Sequence, residues 1–186
     1  LEISQGKLFV PDEVINDAIA KSIPTDSNVT GLTIASKENG RLAITADTKS
    51  VGPVELSGEI KEFVHDGDTS YMVYQVRERN LPNHGLMSWI FSRISLSMAE
   101  KLVGHIEVAE DSPISIKHNT VRIDYSKVLA ASAFGQTEFQ GERLLDMIEI
   151  DSAKPKAGGI EFQTQLKVSD DVKAALKRLL TAKNAE

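Results

Sequence analysis

The chain is 186 residues long, 41% hydrophobic and 26% charged, with 27 acidic against 21 basic residues and a net charge of −6. That length suits one domain that buries its own core without staples, and the acidic balance excludes the basic stripe of a nucleic-acid surface. The absence of cysteine removes disulfides, zinc–thiolate sites and thiol catalysis together.

The chain opens LEISQGKLF, without methionine, so a leader or membrane anchor is expected upstream. Ile3 to Val10 reads as a strand. A helix is predicted over residues 11–23, because Pro11 suits a first turn and Asp12 and Glu13 favour its N-terminus. Val14, Ile15, Ala18, Ile19 and Ile23 share one face of it, and Pro24 ends it. From Val29 the period becomes two. Strands Val29–Lys37 and Arg41–Lys49 flank a Glu38-Asn39-Gly40 turn, in which Asn-Gly supplies positive φ. Leu42, Ile44 and Ala46 fall on one side of the second strand.

Val54–Val64 follows, with Val54, Leu56 and Ile60 alternating against acids and Lys61. The sequence HDGD, from His65 to Asp68, turns the chain, and Thr69–Arg79 runs back. Shorter strands are expected at Ile106–Val108, Ile114–Lys117 and Val121–Tyr125, then a brief helix over Ser126–Ala133. Met147–Ala153 and Ile160–Val168 form a last hairpin around KPKAGG. Ser169 caps a closing helix with Asp170 and Asp171 in its first turn and Val172, Ala175, Leu176, Leu179 and Leu180 on its apolar face. The pattern predicts an α+β class and one elongated domain over residues 1–186.

The stretch GLMSWIFSRISLSMAEKLVG, Gly85 to Gly104, is the least ordinary. On a helical wheel Met87, Ile90, Phe91, Ile94, Met98 and Leu102 gather in one arc. Trp89, Leu96 and Val103 make a second apolar stripe at heptad spacing. Arg93, Glu100 and Lys101 interrupt any run long enough to cross a bilayer, and an interfacial anchor would carry a basic polar face rather than serines. A helix apolar on two sides is a buried helix. Its second side requires a partner: the sheet, a second copy of the chain, or a bound apolar molecule.

Catalytic patterns are absent from the sequence. His65, His84, His105 and His118 form no close metal-binding pair, and those beside turns and strand ends are expected to be solvated. Asp66 and Asp68 sit as in a calcium loop, but no bidentate acid follows at the required offset. There is no nucleophile elbow, phosphate loop or dinucleotide fingerprint. The reading is a chain without enzyme activity, metal or cofactor.

The order of elements carries a resemblance. An amphipathic helix precedes long strands; Leu81-Pro82 leads into the apolar stretch; NTVRIDYSKVL, Asn119 to Leu129, follows; and a hairpin and helix close the chain. This is similar to the LmeA-like phospholipid-binding proteins of bacterial envelopes and, more loosely, to the tubular lipid-binding superfamily. The resemblance implies a long, curved antiparallel meander sheet wrapping a long apolar helix, with amphipathic helices at both termini. It also implies an extracytoplasmic domain, soluble in itself and tethered to a membrane through a missing N-terminal segment. A lipid or fatty-acid-like ligand would lie against Met87, Trp89, Ile90, Phe91, Ile94 and Met98, faced by Leu42, Ile44, Leu56 and Ile60. The alternative reading is a cell-envelope interaction domain with a dry core, its Trp89, Leu96 and Val103 stripe buried against a partner or in a homodimer.

Overall fold

The computed structural model describes residues 6–23, 25–85, 88, 90, 92–93, 95, 97–98, 114–131, 135–139, 141–168 and 170–183. In chain order the elements are β1 (Gly6–Pro11), α1 (Asp12–Ser22), β2 (Val29–Ser36), β3 (Leu42–Thr48), β4 (Gly52–Asp66) and β5 (Thr69–Asn80). Then come β6 (Ile114–Lys117), β7 (Thr120–Asp124), α2 (Ser126–Ala131), β8 (Glu138–Phe139), β9 (Glu142–Arg143) and α3 (Leu144–Met147). Strands β10 (Ile148–Lys156) and β11 (Gly159–Leu166) precede the closing helix α4 (Asp170–Lys183). The expected strand at Ile106–Val108 and the Ser169 cap lie outside the described residues.

One nine-stranded antiparallel sheet organises the chain, and β8 and β9 form a separate pair. Its spine is β4, whose 15 residues span about 50 Å at strand rise. Along one edge β4 pairs β5, which continues to β7 and β6. The other edge is shared. Gly52 to Gly58 pair β3, and β2 lies beyond it; His65 pairs Ile150 of β10, with β11 and β1 beyond.

Two bulges bend the spine. Ser57 faces Glu78 and Gly58 faces Val76, so Arg77 is an extra residue; Ile60 faces Tyr74 and Glu62 faces Val73, so Lys61 is another. Each insertion kinks a strand and increases its twist. The second also reverses the alternation of β4. Gly58 and Ile60 face inward before Lys61, and Phe63 and His65 after it.

The bulged residues converge on the outer face. Lys61 Nζ lies 2.8 Å and Arg77 Nη2 3.3 Å from Glu59 Oε2, with Arg41 Nε 3.9 Å from Oε1. The hydrogen bond from Lys61, then that from Arg77, lowers the Glu59 carboxyl from 4.5 to about 2. A depressed folded value contributes stability above pH 4.5 that disappears as pH falls toward 2. Urea midpoints measured across that window should fall more steeply for the wild type than for Glu59→Gln. Equal slopes would show that the carboxylate is not held.

Helix α1 turns the two arms of the sheet into a ring. It follows β1 directly, and one of its faces lies along β2. Asn16 donates through Nδ2 to the Ile34 carbonyl (3.0 Å), while its Oδ1 accepts from the Ile34 amide (2.7 Å). One turn earlier, Asp12 accepts from the Ser36 amide (2.7 Å) and hydroxyl (2.6 Å). The spacing of four places both side chains on one helix face, and alternate residues of an edge strand offer their amides outward. The helix therefore stands in for a strand. The ring runs β1, β11, β10, β4, β3, β2, α1 and back.

The core fills this ring. Ile34, Leu42, Ile44, Tyr74, Val76, Val121, Ala153, Ile160 and Phe162 are buried together, and Ile15 and Ile19 of α1 pack against them. Val14, expected on the same helix face, is 56% exposed. Tyr74 lies over Gly58 and donates its hydroxyl to the Leu42 carbonyl at 2.7 Å, so the only polar atom of that buried ring is satisfied.

Among the described residues the sheet wraps no long apolar helix, which corrects the fold expected from residues 85–104. Ser88 N donates to His84 O and Ser92 N to Ser88 O in helical fashion, but Arg93 N donates to Ile90 O, tightening the turn. Ser95 marks the break, because both its carbonyl and its Oγ accept from Met98 N, which begins a new turn there. Ser88 Oγ donates to Asn80 Oδ1 (2.5 Å) and accepts from Leu81 N (3.2 Å), while Ser95 Oγ accepts from Met98 N (3.3 Å). Ser95 thus offers the backbone an alternative to the helical ladder, while Ser88 ties the segment back to the end of β5. The described residues of this segment are pinned across one end of the sheet instead: His84 Nε2 bonds Val51 O, and Ser97 N bonds His118 O.

Candidate functional site

Two regions could carry function: the inner apolar face along β4 and β5, and a cleft at the Asp66 end of β4. The first is the inner apolar face expected from the sequence. Leu42 (2% exposed) and Ile44 (8%) are in the buried core, and Leu56 and Ile60 are half-buried against it. Leu42 pairs Gly58 and Ile44 pairs Leu56, so the β3 and β4 residues share a face. Ile90 is half-buried, and Met98 is 57% exposed, away from the core face expected of it. Met87, Trp89, Phe91, Ile94 and Leu96 lie outside the described residues, as does Val103.

This apolar face continues past β4. Met72 on β5, Ile116 on β6 and Ile123 on β7 pack against the core while keeping part of their surface. Helix α1 covers the β1, β11 and β2 side. Arg79 pairs Leu56 and so shares the inner face; its Nη1 donates to Asn119 Oδ1 at 3.0 Å, and burial lowers its pKa.

The second region was not expected. At the Asp66 end of β4, residues Gly67, Asp68, Ser70, Ser126, Lys127, Ala130, Arg143 and Leu145 line a cleft of about 200 Å³. The β4–β5 turn builds one wall, with Gly67 supplying the positive φ (58°) of a two-residue loop. Directly beyond that turn His65 pairs Ser70. His65 is wholly buried: Nδ1 lies 2.7 Å from Ser70 Oγ, and Nε2 lies 2.8 Å from the Leu145 carbonyl oxygen. A carbonyl only accepts, so Nε2 carries the proton and Ser70 donates to Nδ1. Tyr125, next in the chain to Ser126, braces this end of the sheet, its amide donating to Ser70 O and its hydroxyl to Val64 O.

His65 thus departs from the solvated histidine expected beside a turn. Alternation counted from Ile60 puts odd-numbered residues outward, and only the Lys61 bulge turns His65 in. His84 and His118 are exposed, and His105 lies outside the described residues. Asp66 and Asp68 belong to the hairpin turn. Asp66 bonds Lys167, and Arg143 takes Asp146 through two nitrogens at 2.8 and 2.9 Å. Among the described residues no cluster of three metal-binding side chains occurs, and no helix is long and apolar enough to cross a membrane. Comparison with protein-family models, curated proteins and solved structures gives no match.

Proposed function

We propose that the chain binds a lipid or fatty-acid-like ligand against the half-buried part of its inner sheet face. The observation that supports this is the excess of apolar surface over cover. Leu56, Ile60, Met72, Ile116 and Ile123 face one side of β4 to β7, away from α1, and keep part of their surface. Burying each completely is worth up to about 1.5–3 kcal/mol, so an acyl chain laid along them has a substantial driving force. The contacts of His84 with Val51 and of Ser97 with His118 cross the end of this face. The pattern-level likeness to LmeA-like proteins points the same way, and with it an extracytoplasmic setting.

A second reading, a ligand-free interaction domain, is favoured by the filled centre of the same core. Tyr74 is 1% exposed, and Leu42 and Val76 are each 2%. Native mass spectrometry of gently purified protein separates the two. Lipid binding predicts an adduct of fatty-acid or phospholipid mass that disappears on solvent extraction and returns when palmitate is added. A clean mass that takes up neither palmitate nor phospholipid would sink it, and a dimer in that spectrum would support the second reading.

A further inference from the structure

The cleft at the Asp66 end of β4 holds chemistry that no sequence pattern announced. We propose that Ser70 is a nucleophile activated by His65, able to accept the acyl group of a small ester. The pair has the geometry of a serine with its general base. The 2.7 Å separation is within proton-transfer reach, and the tautomer is fixed. Leu145 O holds the Nε2 proton, which leaves the Nδ1 lone pair facing the Ser70 hydroxyl. The imidazole has no exposed surface, so it does not swing away from Ser70. Ser70 and Leu145 both line the cleft; with Ser70 only 3% exposed, attack requires that a small molecule in the cleft reach its hydroxyl.

The balance of the step is complete within this site. Ser70 Oγ attacks the ester carbonyl carbon as its proton passes to His65 Nδ1. The carbon–oxygen bond to the alcohol breaks, and the Nδ1 proton leaves with the alkoxide. Water then attacks the acyl-serine, again losing a proton to Nδ1, and the acid departs as Ser70 regains that proton. The Leu145 carbonyl accepts from Nε2 throughout, so the positive imidazolium keeps a hydrogen-bond partner in place of the carboxylate found in a Ser-His-Asp triad. Lys127 and Arg143 bring positive charge to the cleft wall, where the carbonyl oxygen becomes negative. Arg143 is already engaged by Asp146, which leaves Lys127 the better placed of the two.

Two magnitudes restrict the substrate and the rate. A cleft of about 200 Å³ is smaller than the roughly 300–1,000 Å³ of drug-sized sites, so a short acyl group such as acetyl fits and a long chain does not. A neutral carbonyl stabilises imidazolium less than a carboxylate does. Deacylation is accordingly slow, and covalent capture is a better readout than turnover.

The test is labelling of the intact protein with a small fluorophosphonate, read by intact mass and peptide mapping. One adduct per chain on Ser70 is expected, with none on Ser70→Ala. Circular dichroism should show that variant folded, since the serine leaves only a ring nitrogen unpaired. In Lys127→Ala, whose side chain is exposed, labelling should slow while the melting temperature stays unchanged. No adduct on the wild type after prolonged excess probe, or an adduct on another residue that persists in Ser70→Ala, would overturn the proposal. Labelling at Ser70 reads the cleft alone, and lipid uptake is read separately by the palmitate adduct in native mass spectra.

Discussion

Replacing Gly58 by valine is expected to cost at least about 3 kcal/mol, which for a chain of this size lowers the melting temperature by about 10 °C. Its φ is not positive, so the cause is space rather than backbone strain. A Cβ at Gly58 would fall on the Gln75 carbonyl oxygen, far inside van der Waals contact, and 2.9 Å from Tyr74 Cζ. Neither neighbour can yield. The carbonyl belongs to β5, the partner strand, and the Tyr74 ring is 1% exposed and tied through its hydroxyl to Leu42 O. Alanine should already incur most of the loss, because it brings the same Cβ. Urea denaturation of Gly58→Ala and Gly58→Val checks this, and a Gly58→Ala curve superimposing on the wild type would mean that β4 and β5 do not approach as described.

Asn16→Leu carries the second large effect, and its sign is diagnostic. By helix propensity alone leucine improves an exposed helix position by a few tenths of a kcal/mol over asparagine. Here Asn16 pairs both backbone groups of Ile34, and leucine would leave an N–H and a C=O of a part-buried strand without partners. Each orphaned group costs about 1–3 kcal/mol when fully buried. Partial exposure brings the expected total to about 2 kcal/mol of lost stability. A variant equal to or more stable than wild type would remove α1 from the ring.

Much of the scaffold was legible because strand alternation and turn chemistry are local. The ladder from Val29 to Arg79, the turns at Gly40 and Gly67 and the closing hairpin all follow from period two and residues that tolerate positive φ. The role of Asp12 was half-read. Its charge suits a helix N-terminus, but its actual partner is Ser36 in a strand 24 residues away, which no local pattern encodes. The Gly85–Gly104 stretch misled for a different reason. Apolar spacing suggested one long helix, while Ser95 accepts the Met98 amide and starts a separate turn. The four serines Ser88, Ser92, Ser95 and Ser97 were the available signal. The Ser70–His65 pair was hidden by the Lys61 bulge. A single inserted residue reverses which side chains reach the interior, and alternation alone cannot register it.

The pairing of β1 with β11 has a consequence for how the ring is made. Thr164 Oγ1 donates to Gly6 O across a separation of 158 residues, whereas β2 through β5 pair with neighbours along the chain. Contacts between distant segments carry a larger loop-closure cost and slow folding. The hairpins of β2 to β5 can therefore assemble while the chain is incomplete, but β1 has no edge to join until β11 exists. Although β1 is made before β11, it is seated only after it, and α1, joined directly to β1, completes the ring only then.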